Sequence, residues 1–425
     1  MTARPAAAWP EVLHRPRCRW KLPAGFLPAS PAILSTDIRG AARLAVEATL
    51  AITNIVEDMH RNIARAPWIF GEVPPGRTRG ITGLVYTSIR TVTGWVGSGL
   101  DAALGRLQPL IDAALLQDGS AGRDAVVAAL NGVLGDYLAA TGNPLAMDME
   151  IRRDGLRAEH ATGPRVLLLI HGLCMSDRQW LRLGHDHGTA LAAALGYEAA
   201  YVRYNSGRHV SLNGRELSEL LERYIEQAPQ PVEELAIIGF SMGGLLARSA
   251  CHYAALAGHA WPRRLKRLVF LGTPHLGAPL ERGGSGLHML LNISPYSAPI
   301  AGLGKLRSAG ITDLRHGNVI DEDWAGADRF ARSQRRPQPL PLPVGVHCAA
   351  LAGTTGQRAG DLNDRLLGDG LVPVASALGI DELSTRSLSF EPEYQWIGYG
   401  MNHLDLLNRP EAFDALHRVL QAPLG

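Results

Sequence analysis

With 425 residues, 46% of them hydrophobic, the chain is long enough to bury a large core and more than one domain, and its composition excludes a disordered polymer. The 42 basic and 40 acidic side chains leave a formal net charge of +2. They are scattered and not interleaved with aromatic residues, so nothing points to nucleic acid as a partner.

The four cysteines, Cys18, Cys174, Cys251 and Cys348, form no Cys-x-x-Cys pair, so neither a zinc site nor a disulfide framework is expected and a reducing compartment fits. No continuous apolar run has the form of a secretory signal or the length of a membrane span. The expectation is a soluble, cytoplasmic protein in which the amino-terminal region leaves peripheral membrane contact open.

Residues 1–35 are rich in proline and arginine and read as an extended surface segment. From Gly40 to Ile63, Leu44, Ala48, Ile52, Ile55, Met59 and Ile63 recur at helical steps, with Glu47, Glu57, Asp58 and Arg61 on other faces. Pro74-Pro75-Gly76 marks the loop Trp68 to Arg79. Ile81 to Leu116 is apolar and punctuated by glycines, which reads as one or two helices with Asp101 as a cap for the second. Asp124 to Ala140 gives another helix. The glycine-spaced stretch suits packing on the main domain best, with an oligomer contact or an interfacial membrane element as alternatives.

Beyond Gly142-Asn143-Pro144 the pattern changes to strands alternating with helices, the mark of a mostly parallel sheet covered on both faces. Met147–Arg153 reads as an edge strand, followed by strands at Arg165–Ile170, Tyr197–Tyr204, Leu235–Ile238, Leu265–Gly272, Val344–Ala352 and Ser387–Gly398, with a helix from Asn213 to Glu226. The expected division is a helical region over 1–145 and a catalytic domain over 146–425. The interval 279–336 is too long for an ordinary connection. Its apolar pieces Leu287–Leu291, Ile300–Leu306 and Ile311–Leu314 suggest a cap projecting over the sheet.

The chemistry centres on Gly239-Phe240-Ser241-Met242-Gly243-Gly244, between the apolar run Leu235–Ile238 and a helix start. Strand, sharp turn and helix form a nucleophile elbow that raises a serine hydroxyl at the carboxyl edge of a sheet. The glycines leave room for the turn, and the helix aims its free N–H groups at the same place. A serine needs a base, and a histidine base needs a carboxylate to hold its tautomer. The order serine, acid, histidine selects Asp369, in Gly368-Asp369-Gly370-Leu371, and His403, in Asn402-His403-Leu404, with Asp361 and Asp364 as alternative acids. Backbone N–H groups of Leu173, after His171-Gly172 at a strand end, and of Met242 suit an oxyanion hole. His275 reads as structural or pocket-shaping.

These blocks, together with Gly272-Thr273-Pro274-His275-Leu276-Gly277, resemble an α/β-hydrolase of the bacterial lipase and esterase type, with similarity to GPI inositol-deacylase-like and Pseudomonas-type lipase domains. The resemblance covers residue 164 to the carboxyl terminus. It implies Ser241 as nucleophile, Asp369 as acid, His403 as base, and Leu173 and Met242 as oxyanion donors. Asp405 matches a calcium-ligand position of the secreted Pseudomonas-type lipases, for which Asp361 or Asp364 would be a partner. A carboxylate interacting with the dipole of the last helix is the simpler reading, and no metal is expected.

The function expected is a serine carboxylester hydrolase acting on a small-molecule or lipid ester, without a cofactor. An acyltransferase using the same acyl-serine and a non-catalytic scaffold are the alternatives. The sequence leaves the oligomeric state open.

Overall fold

A computed structural model describes residues 39–47, 50, 87, 90–91, 121–278, 308–326, 340–359, 367–381 and 386–423. Residues 39–47 and 50 are helical. The rest of the helix expected to Ile63, nearly all of Ile81–Leu116, the pieces Leu287–Leu291 and Ile300–Leu306, and Asp361 and Asp364 lie outside the described residues.

Helix α1 spans Ala121–Ala140 and leads to a short antiparallel pair, β1 (Glu150–Arg153) and β2 (Leu156–Arg157). Four strands follow with their crossover helices: β3 (Arg165–Ile170), α2 (His187–Leu195), β4 (Glu198–Arg203), α3 (Val210–Glu226), β5 (Glu234–Phe240), α4 (Met242–Ala257) and β6 (Leu265–Leu271). Helix α5 (Ala309–His316), β7 (His347–Thr354), the one-turn α6 (Val374–Ala377), β8 (Gln395–Tyr399), a 3₁₀ segment His403–Leu407 and α7 (Pro410–Gln421) complete the described chain. The sheet order is β2-β1-β4-β3-β5-β6-β7-β8, parallel from β4 to β8, with β1 antiparallel at its edge.

Strand β3 explains the layering. Val166, Leu168 and Ile170 face a core shared with α1, α3 and α4, whereas Leu167 and Leu169 face a second core shared with α2 and α7. A strand covered on both sides is apolar at every step, which is why this run shows no alternation. Burying one leucine in such a layer contributes about 2 kcal/mol.

One sequence expectation meets a different structure. The last strand, expected over Ser387–Gly398, is Gln395–Tyr399, because Pro392 opens a 3₁₀ turn just before it. Residues 308–326, the described part of the expected cap, pack on the loop after β4, where Gly310 N donates to Gly207 O at 2.9 Å. Ala309, Ile311 and Leu314 are buried, and Asp313 Oδ2 accepts from Val210 N at 2.8 Å and lies 3.0 Å from His209 Nδ1. Ala129 and Val133 of α1, on the amino-terminal side of the expected boundary, share a core with the sheet.

Candidate active site

Ser241 joins β5 to α4 with φ 53° and ψ −123°, a conformation that costs an L-residue on the order of 1–3 kcal/mol. Neighbouring contacts enforce it. A Cβ at Gly239 would stand 2.5 Å from Gly244 Cα, and one at Gly243 would stand 2.2 Å from Ile170 O, so the turn closes only on glycine. Ser241 N donates to Leu271 O at 2.9 Å, and Ser241 O accepts from Gly244 N at 3.1 Å. The serine is fully buried, and its Oγ has no hydrogen-bond partner among the described residues.

Asp369 lies in the loop after β7 and is buried. Its Oδ1 accepts from Leu371 N at 3.0 Å and Val372 N at 2.8 Å, while its Oδ2 lies 2.6 Å from His403 Nδ1. His403 N also donates to Asp369 O at 2.9 Å, so the two residues are joined through both main chain and side chain. A carboxylate only accepts, which puts the imidazole proton on Nδ1 and leaves Nε2 as the basic nitrogen. His403 Nε2, like Ser241 Oγ, is buried without a partner among the described residues.

The two orphaned atoms belong to one neighbourhood. The His403 ring lies 4.8 Å from that of Phe240, the residue before Ser241. A Cβ on Gly272, next to the Leu271 carbonyl that holds Ser241, would come within 3.2 Å of His403 Cε1. His403 opens the 3₁₀ segment under an Asn402 cap, whose Oδ1 accepts from Leu404 N and Asp405 N. His187 ties down the same segment with a 2.9 Å contact from Nε2 to Leu406 O.

Leu173 and Met242 are buried on either side of the serine. The loop carrying Leu173 crosses the elbow at contact distance, since a Cβ on Gly172 would be 3.0 Å from Ser241 Cβ. His171, which served the sequence reading only as a landmark, holds this loop. Tyr204 N donates to His171 Nε2 at 3.4 Å, which leaves Nδ1–H to donate to Gly172 O at 2.8 Å. Tyr204 OH donates to His171 O at 2.9 Å, and the two rings stack with centroids 4.3 Å apart. Complete burial lowers the His171 pKa from 6.5 to about 3, so the ring stays neutral. Gly172 O and Leu173 N–H share one peptide plane, so fixing the carbonyl fixes the direction of the N–H.

His275 is buried between Phe270 and Phe390, with Arg248 Nη1 at 3.4 Å from its Nδ1. Burial, then the Arg248 charge, hold its pKa well below the usual value. Asp405 Oδ2 accepts from Asn402 N at 2.9 Å and closes a capping box at the helix start. No group of three or more His, Cys, Asp or Glu among the described residues could hold a metal. A cavity of about 580 Å³ opens beside Val346 and Cys348 at the amino end of β7, remote from Ser241 at the carboxyl edge.

Residues 160–340 match the family model described as the PGAP1-like alpha/beta domain. This match and the strand order agree. The fold is that of an α/β-hydrolase. Solved α/β-hydrolase structures to which it is similar include the mature lipase BlEst2 of Bacillus licheniformis, at 17% identity and a TM-score of 0.38 over 65% of this chain and 98% of that one. A thermophilic esterase is 13% identical, with a TM-score of 0.36 over 64% and 97%. RedJ, a thioesterase from the prodiginine biosynthetic pathway of Streptomyces coelicolor, is 15% identical, with a TM-score of 0.35 over 61% and 91%. No curated protein matches the sequence.

Proposed function

We propose that the protein is a serine carboxylester hydrolase acting on a hydrophobic acyl ester. The observation that carries the reading is the buried 2.6 Å contact between His403 Nδ1 and Asp369 Oδ2, beside a strained Ser241 whose hydroxyl has no hydrogen-bond partner among the described residues. Ser241 Oγ attacks the ester carbonyl as its proton passes to His403 Nε2, and Asp369 stabilises the imidazolium. The N–H groups of Leu173 and Met242 bind the tetrahedral oxyanion. The imidazolium then protonates the departing alkoxide, and water repeats the sequence on the acyl-serine. The dipole of α4 adds a favourable field at the oxyanion.

The test is turnover of p-nitrophenyl esters of short and long acyl chains, with fluorophosphonate labelling read by mass spectrometry. Wild type is expected to turn over and to carry the label on Ser241. Ser241→Ala should lose activity by a factor on the order of 10⁴ or more, and Asp369→Asn, which releases the tautomer, by about 10⁴. Label on another residue, or full activity in Ser241→Ala, would sink the proposal. Adding an alcohol acceptor and measuring new ester separates hydrolysis from acyl transfer.

A further inference from the structure

Helix α1 precedes the matched stretch 160–340, yet it packs onto two loops at the carboxyl edge of the sheet. Its middle touches the oxyanion loop directly. A Cβ on Gly132 would fall 2.2 Å from Cys174 Sγ, 2.8 Å from Cys174 Cα and 2.9 Å from Cys174 N. Cys174 follows Leu173 and is held at φ 61°, an uncommon value for a residue with a side chain, so its surroundings must impose it. Its N–H donates to Ser206 Oγ at 3.0 Å, in the loop after β4.

The same helix fixes that second loop. Asn205 Nδ2 donates to Gly135 O at 2.9 Å, Asn205 Oδ1 accepts from Gly207 N at 3.1 Å, and a Cβ on Gly207 would meet Asn131 O at 2.1 Å. Near the start of the helix, the buried Asp124 pairs with Arg203, the last residue of β4, at 2.8 Å and with Arg178, in the 3₁₀ turn after the Leu173 loop. On its far side, Ser308 Oγ donates to Gly132 O at 2.6 Å.

We propose that α1 is a clamp for the active centre, with Gly132 and Ser206 as positioning residues that hold Leu173–Cys174 so that the Leu173 N–H meets the oxyanion. His171 and Tyr204 fix the plane of the Gly172–Leu173 peptide from one side, and the Gly132 contact and the Ser206 hydroxyl fix the following residue from the other. The inference rests on reading Leu173 as an oxyanion donor. It makes a helix outside the matched domain part of the hydrolase site and leaves KM to other groups.

The test uses the full chain and three variants. Gly132→Ala forces the helix off Cys174, and Ser206→Ala removes the acceptor of Cys174 N–H. Val127→Ala, in the separate cluster with Leu138 and Leu145, trims packing away from both loops and leaves the contacts of Gly132 and Ser206 in place. The first two are expected to lower kcat tenfold to about a thousandfold, the range for a misplaced or lost oxyanion donor, at unchanged KM. They should weaken a trifluoromethyl ketone inhibitor by the same factor and speed amide exchange over residues 171–176. Val127→Ala should lower Tm and leave kcat per folded molecule as it is.

Unchanged kcat in both loop-contact variants, or an equal loss in Val127→Ala, would overturn the clamp. Should Gly132→Ala not fold, Ser206→Ala decides. Should wild type show neither turnover nor label on Ser241, the hydrolase reading has failed, and exchange then decides alone: unaltered protection of Leu173 and Cys174 in Ser206→Ala would overturn the clamp.

Discussion

At the scale of single residues, the backbone of Ser241 is the point of greatest local cost. Its φ of 53° and ψ of −123° suit glycine, and the contacts of Gly239 and Gly243 prevent relaxation. The fold therefore holds the serine against its own preference, so Ser241→Gly should be more stable than Ser241→Ala by about 1 kcal/mol, because relief of strain outweighs the entropy glycine adds to the unfolded chain. Urea unfolding of the two variants decides it, and equal midpoints would mean that the strain is not borne at Ser241. The candidate positions Ser241 and His403 were legible because each follows an apolar run within a few residues, and Asp369 because glycines frame it. The link from His171 to Tyr204 was not. It depends on the register that pairs Ile170 with Val202 across β3 and β4, and neither residue carries a local sign of the other.

At the scale of elements, the helices divide by where their ends are satisfied. Helix α2 is capped locally by Asp186, whose side chain accepts from Thr189 N, and it ends at Gly196 in the left-handed region. Helix α3 starts at Val210, three residues before the start read from sequence, because its cap comes from Asp313, about a hundred residues later. Asp313 also accepts from Asn318 Nδ2 at 2.9 Å and from the main chain of Gly317 and Asn318 through its own carbonyl. Asp313→Ala therefore leaves Val210 N and Asn318 Nδ2 unsatisfied and should cost about 3 kcal/mol, with Asp313→Asn costing less. Chemical denaturation checks it: a loss below about 1 kcal/mol in Asp313→Ala would show that the carboxylate does not couple α5 to α3. The same logic explains α1. Its period marked it as a helix, but its partners, Cys174 and Asn205, are distant in sequence, so its place against the active centre was invisible.

At the scale of the whole molecule, several buried histidines are held neutral by the packing that builds the site. Burial lowers His171 to about 3 and His187 to about 4, and His275 lies well below its usual value, whereas in the unfolded chain each titrates near 6.5. Between about pH 6.5 and pH 4 the unfolded state therefore binds protons that the folded state does not. Stability is full above that window and falls as pH drops through it. Three such sites set a ceiling of about 4 kcal/mol per pH unit near pH 5. Urea midpoints should fall steeply between pH 7 and pH 5, and His171→Gln, although less stable at pH 7, should show a shallower fall by about one proton. Because His171 fixes the Gly172–Leu173 peptide while His187 holds the segment of His403, acid should remove esterase activity together with the fold. A urea midpoint that stays flat from pH 7 to pH 5 would contradict neutral burial of these rings, and with it the fixed Gly172–Leu173 peptide on which the proposed mechanism relies.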